Sequence, residues 1–200
     1  MNYHNITVDD MLNGDGLRTV LWVAGCDHRC PGCQNPETWA ENSGIPFDEA
    51  AKEELFEALS RDYMTGVTFS GGDPLYCSNI ETIGALISEI REKLPQKTLW
   101  LYTGSLFEEI RTLPFISLID VIVDGPYIQA LRDVQLHWKG SKNQRVIDVK
   151  RTLAEGRIIL WAYACRITEE KRYASHRQIR KGIGQAVCKR LADHISPADH

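Results

Sequence analysis

Thr19-Val20-Leu21-Trp22-Val23-Ala24 is an unbroken apolar, largely β-branched run that leads directly into Gly25 and Cys26. Continuous rather than alternating apolar character marks a strand buried on both faces, the kind that helices cover. Downstream, Phe47, Ala51, Leu55 and Leu59 recur every four residues among acids, which predicts a helix over 47–59. Asp48 is expected to cap that helix or meet its dipole. Val67-Thr68-Phe69-Ser70 predicts a strand that stops at Gly71-Gly72. Ile80, Ile83, Leu86, Ile87, Ile90 and Leu94 trace a helical stripe, which Pro95 ends. Thr98 to Thr103 is a strand closed by Gly104, Leu106 to Leu113 a short helix stopped by Pro114, and Val121 to Asp124 a strand stopped by Gly125-Pro126. Arg157 to Tyr163 is expected to form one more strand.

Strands that alternate with helices imply right-handed βαβ units and a parallel sheet, so the fold class is α/β. In such a sheet or barrel the strand C-termini share one face, where ligands bind. Here that face is expected to carry Gly25-Cys26, Ser70-Gly71, Thr103-Gly104 and Asp124-Gly125. Two hundred residues suit one domain with an appendage. No apolar run approaches the ~18 residues that span a bilayer, and Met1-Asn2-Tyr3-His4 does not open a secretory signal. A cytoplasmic location is expected, without a membrane partner.

Charge is unevenly spread. Residues 1–138 carry 9 Lys and Arg against 21 Asp and Glu, whereas residues 139–190 carry 14 against 4. The expected division is therefore a main domain over 1–161 and a basic extension over 162–200. Within the extension, Ile179, Ile183, Val187 and Leu191 recur every four residues. This pattern predicts an amphipathic basic helix or partial disorder. Gly182 and Gly184 each cost such a helix about 1 kcal/mol relative to Ala. No nucleic-acid motif accompanies it, and nucleic acid is not an expected partner.

Cys26, Cys30 and Cys33 form a CxxxCxxC run. Those spacings fit one helix face, but Pro31-Gly32 interrupts a helix, so the run is expected to be a loop wrapped around metal. Three clustered thiolates repel one another unless a cation holds them. They can bind three irons of a four-iron cluster and leave the fourth iron open. Zinc is the competing ion, with His28 as its fourth ligand, although the usual paired CxxC spacing is missing. Cys77, Cys165 and Cys188 are scattered and are expected to be structural or incidental thiols. After the second strand, Gly71-Gly72 is expected to expose backbone to a small ligand. The five tryptophans are expected in the core or at an interface.

These motifs resemble the radical S-adenosylmethionine superfamily and, more narrowly, the anaerobic ribonucleoside-triphosphate reductase activating proteins. The resemblance rests on Asn13-Gly14-Asp15-Gly16-Leu17-Arg18, the Gly25–Asn35 cysteine run, Thr38-Trp39, Asn42-Ser43-Gly44 and Ser70-Gly71-Gly72-Asp73-Pro74-Leu75. It continues through Thr103-Gly104, Val123-Asp124-Gly125 and Trp138-Lys139-Gly140-Ser141-Lys142-Asn143-Gln144, all in order. It implies a partial parallel β/α barrel of the radical S-adenosylmethionine type, with Cys26, Cys30 and Cys33 holding a [4Fe-4S] cluster. S-adenosylmethionine would then meet Gly71, Gly72 and Asp73 on its methionine side, with Asp73 supporting the turn or meeting the ammonium. Gly32, Cys33 and Gln34 would line the adenine side, and Thr103 and Asp124 would contact ribose or ammonium. Gln34 stands where many superfamily members have an aromatic residue, and its amide can hydrogen-bond to adenine.

The implied partners are the large subunit of anaerobic ribonucleoside-triphosphate reductase and an electron donor such as flavodoxin or ferredoxin. The implied enzyme generates a glycyl radical on the reductase. The alternatives are an activase of another glycyl-radical enzyme, such as pyruvate formate-lyase, and a non-enzymatic iron–sulfur redox sensor with a basic nucleic-acid-binding arm. Asn143 and Gln144 are expected to line the site or touch the partner.

Overall fold

Four central strands pair in parallel: β2 (Arg18–Val23), β4 (Gly66–Gly71), β5 (Thr98–Tyr102) and β6 (Val121–Asp124). The computed structural model describes residues 1–162. β1 (Asn2–Asp10), β3 (Ile45–Pro46) and β7 (Arg145–Asp148) complete a seven-stranded sheet in the order β3-β1-β2-β4-β5-β6-β7. The sheet is not closed. β1 pairs antiparallel with β2 and β3, and β7 pairs antiparallel with β6. The parallel sheet expected from sequence holds for the four central strands, and β1, β3 and β7 add antiparallel flanks. The seven-residue 11–17 loop reverses the chain into β2, and the long 125–144 connection reverses it into β7 without a crossover helix.

Side chains that alternate along the central strands divide between two faces. Leu21, Val23, Val67, Phe69, Leu99, Leu101 and Ile122 face the helices and are buried. α1 (Glu49–Ser60) contributes Leu55 and Leu59 to this core, and α2 (Ile80–Lys93) contributes Ile83, Ile87 and Ile90. Asp48 caps α1 by accepting the Ala51 amide at 3.0 Å, as expected. The other face carries a smaller cluster of Trp100, Val121 and Val123, packed with Tyr102, Trp138, Val146 and Trp161. Trp138 and Trp161 both meet Trp100 edge-on, with ring centroids 5.0 and 5.9 Å away.

The helix expected over 106–113 contracts to α3 (Phe107–Ile110). The expected 157–163 strand is not part of the sheet. Leu160 makes one isolated bridge to Ile147, after α4 (Val149–Glu155) ends at the left-handed Gly156. Two backbone bonds, Asp148 to Ile159 and Trp161 to Val146, are too few to build a ladder. The expected basic helix over 179–191, and Cys165 and Cys188, lie outside the described residues. Among those residues no helix is long and apolar enough to cross a membrane.

Candidate functional site

The exits of β2 and β4 lie against each other, and this contact explains the double glycine. A Cβ on Gly72 would lie 2.4 Å from the Gly25 carbonyl oxygen and 3.0 Å from that of Thr38. Gly71 has φ +108°, and a Cβ there would lie 2.7 Å from both the amide nitrogen and the carbonyl oxygen of Val23. The Gly72 amide donates to Val23 and the Asp73 amide to Gly25, each at 2.8 Å. The glycines thus let two chain segments touch, which is a structural need the sequence had not disclosed. Both also line the cavity beside them.

That cavity has a volume of about 540 Å³ and lies over the open face of the sheet. Cys26, Cys30 and Cys33 share its wall, half-buried and free of disulfides. The segment after the loop holds Cys26 in place, because the Gly25 amide donates to Thr38 and the Cys26 amide to Trp39. The Cys33 amide turns back to Cys30, and the Asn35 amide points at the Cys33 sulfur, 3.4 Å away. Burial pushes the Cys26 thiol pKa up, and local amides of His28 and Arg29 partly offset this. Cys77 is free and exposed.

Asp73 is the centre of the site. Its carboxylate is 3% exposed. Oδ2 accepts from the His28 ring at 2.7 Å, the Thr103 hydroxyl at 2.9 Å and the Gly104 amide at 3.0 Å. Oδ1 accepts the Leu75 amide at 2.8 Å. Four donors occupy a group with about four acceptor positions, so the structure uses Asp73 to brace the turn. Hydrogen bonding to Asp73 raises the His28 pKa, against the lowering effect of burial. The Thr103 hydroxyl also accepts the Ser105 amide at 3.1 Å.

Asp124 is placed differently. It is fully buried but does not line the cavity. Its carboxylate pairs with Arg145, through Nε at 3.0 Å and also through Nη2, and accepts the Phe107 amide at 2.8 Å. Arg145 reaches on to Glu108 at 2.7 Å. Its pKa is raised by these carboxylates, Asp124 first. The neighbouring Gly125 does line the cavity. Gly32 is also absent from the wall, because its α-carbon faces the Gln129 side chain. Cys33, Gln34, Gly71, Gly72, Asp73 and Thr103 are all on the wall.

Three features at or beside the wall were not read from sequence. Trp39 and Tyr102 line it, and among the described residues the buried Trp39 Nε1 and Tyr102 hydroxyl have no hydrogen-bond partner. Burial raises the Tyr102 pKa, so the phenol stays neutral. Buried polar atoms left alone cost about 1–3 kcal/mol each, and a ligand acceptor relieves that cost. Arg18 is not on the wall but lies in the packed interior beside the 11–17 loop. It is fully buried, lies 5.1 Å from the Trp100 ring centroid, and spends every N–H on Thr68, Asp15, Thr98 and Val67. Burial lowers its pKa to about 9, which leaves it charged at neutral pH. Arg18 thereby anchors the 11–17 loop, whose Leu12 and Asn13 reach the cavity. The aromatic residues thus divide between core and wall, since Trp22, Trp39 and Trp138 also line the cavity. Gln144 braces the 140–144 loop by accepting the Gly140 and Ser141 amides at 2.9 and 3.1 Å.

The three thiols on one wall are the ligand type that iron–sulfur clusters take. Among the described residues no three His, Cys, Asp or Glu side chains are grouped to hold a metal ion. The Nε2 of His28, the zinc ligand considered from sequence, is engaged by Asp73. A four-iron cluster spreads its thiolates over different irons, so they need a shared wall rather than one focal point.

Residues 12–147 match the family model described as a 4Fe-4S single cluster domain. Similar proteins include one of Enterobacteria phage T4, 44% identical over 146 residues, which are 73% of this chain and 93% of the phage protein. One of Escherichia coli is 42% identical over 150 residues, covering 73% of this chain and 97% of its own. A Haemophilus influenzae protein is 36% identical over 148 residues, covering 72% and 96%. All three are named anaerobic ribonucleoside-triphosphate reductase-activating protein. With its cysteine loop, strand-end turn and cavity in that order, the chain belongs to the 4Fe-4S family of anaerobic ribonucleoside-triphosphate reductase-activating proteins.

Proposed function

We propose that this protein activates an anaerobic ribonucleoside-triphosphate reductase by placing a glycyl radical on its large subunit. The observation that carries this reading is the sharing of one cavity wall by Cys26, Cys30, Cys33 and the Ser70–Asp73 turn. When bound, a reduced [4Fe-4S] cluster and S-adenosylmethionine supply the reductive sulfonium cleavage whose outcome is that radical.

The chain's own residues bind, orient and exclude water. Cys26, Cys30 and Cys33 would hold three irons of the cluster. The Gly71-Gly72 segment presents backbone to the methionine end, and Asp73 keeps that backbone fixed. Gln34, beside Cys33, offers its amide to adenine, and Trp39 and Tyr102 supply unspent donors to ligand oxygens or nitrogens. Thr103 acts chiefly through Asp73, and Asp124 holds the sheet corner. Trp22, Trp39, Tyr127 and Trp138 present aromatic surface that limits water. The unclosed sheet suits a partial β/α barrel, and an open side admits a protein substrate. Exposed Leu12 and Val134, 80% and 83% accessible, both line the cavity and give that side an apolar rim.

Residues 1–161 are the catalytic domain in this reading, with 162–200 a basic extension. A cytoplasmic site and a flavodoxin or ferredoxin donor accord with low-potential chemistry. The decisive mixture is reconstituted protein, reductant, S-adenosylmethionine and the reductase large subunit, examined by electron paramagnetic resonance. A glycyl doublet on the reductase is expected. A doublet only on pyruvate formate-lyase would reassign the partner, and salt-sensitive nucleic-acid binding without S-adenosylmethionine cleavage would favour a redox sensor.

A further inference from the structure

We infer that His28 is a positioning residue, whose ring, seated on Gly104 and tied to Asp73, fixes the cysteine loop over the strand ends. This rests on the cluster reading above. His28 lies midway between Cys26 and Cys30. A carboxylate has no proton to give, so Nε2–H must be the donor in the 2.7 Å contact with Asp73 Oδ2. That oxygen also takes the Thr103 hydroxyl and the Gly104 amide, so one buried atom joins the β2, β4 and β5 exits.

The fit against Gly104 is equally specific. A Cβ there would lie 2.4 Å from His28 Cδ2 and 2.6 Å from Cγ and Nε2. Any larger residue at 104 would evict the ring. Among the described residues, no other side chain of residues 27–32 forms a hydrogen bond outside the loop. The loop that carries Cys30 therefore depends on this one side-chain tether. Groups that orient metal ligands in this way typically change affinity or activity by about 10- to 100-fold when removed.

Two substitutions reach the tether from opposite ends. H28A deletes the ring, whereas G104A removes no polar group and only fills the ring's seat. H28Q keeps a donor for Asp73 without an imidazole. In the full-length reconstituted protein, H28A and G104A should each lower 5′-deoxyadenosine formation by about 10- to 100-fold. Both should shift the cluster midpoint potential away from wild type, and H28Q should recover most of the rate and the potential. In the metal-free protein, both should speed alkylation of Cys26 and Cys30 several-fold with unchanged circular dichroism. Wild-type potential, rate and alkylation in H28A would overturn the assignment. So would an inert G104A beside an H28Q as impaired as H28A, which would mark the imidazole as a ligand. A wild-type protein that takes up no cluster would instead refute the underlying functional reading, and the alkylation comparison would still decide on the tether.

Discussion

Asp73 and Asp124 occupy equivalent places in sequence terms. Each is a buried carboxylate where a parallel strand ends, flanked by glycine or proline. Their surroundings give them different work. Asp73 receives donors from the cysteine loop, the end of β5 and its own turn, all at the cavity. Asp124 receives Arg145 from β7 and the first amide of α3, away from it. A strand-end acid is therefore assigned by the donors that reach it, not by its position on the shared face. The first aspartate braces the turn and the loop at the cavity, and the second fastens the antiparallel edge to the parallel sheet.

Exchanging each acid for its amide breaks the comparison most sharply. D73N puts an NH₂ among donors and should cut 5′-deoxyadenosine formation by about 10- to 100-fold, measured in the reconstituted protein. D124N should leave turnover per folded molecule near wild type. It should cost about 1–3 kcal/mol of stability in a denaturant melt, because the partly exposed Arg145 loses a buried partner. Equal loss of turnover in both variants would erase the distinction.

A smaller effect is expected at Tyr102, a cavity-lining residue whose buried hydroxyl has no partner among the described residues. Y102F should weaken S-adenosylmethionine binding by about 3- to 10-fold in equilibrium titration, the worth of one neutral hydrogen bond. Unchanged affinity would leave that hydroxyl without a ligand role.

The smallest effect concerns Asp120, which like Asp124 belongs to the scaffold. Burial raises its pKa, but Lys150, Arg91 and the Leu99 amide outweigh burial, and the net shift is downward from 3.8. Its folded pKa lies below its unfolded pKa, so its contribution is complete above the unfolded value and is lost as pH falls through the folded one. Melts taken from pH 5 downward should show that loss, and D120N should flatten it. An equally steep acid decline in D120N would remove Asp120 as its source.

The cysteine loop was legible because its chemistry is local: three thiols in eight residues, interrupted by Pro31-Gly32. The α2 stripe and the β2, β4 and β6 strands were legible because burial imprints a period on the sequence. β1 and β7 were not. Their residues are mixed and half-buried, and only pairing with β2 and β6 makes them strands. Gly71 and Gly72 were legible as necessary but not in their reason, since contact with Gly25 and Val23 is tertiary. For the same cause sequence placed Asp124 at the cofactor and passed over Trp39 and Tyr102. Which atoms are left without partners is known only once the chain has folded.

The most direct test is electron paramagnetic resonance of the anaerobically reconstituted, reduced protein before and after S-adenosylmethionine is added, with iron counted on the same sample. About four irons per chain and a signal changed by S-adenosylmethionine are predicted, since the proposed three-cysteine site would leave one iron without a protein thiolate. Stoichiometric zinc, or a four-iron signal indifferent to S-adenosylmethionine, would contradict a three-cysteine site with an open iron.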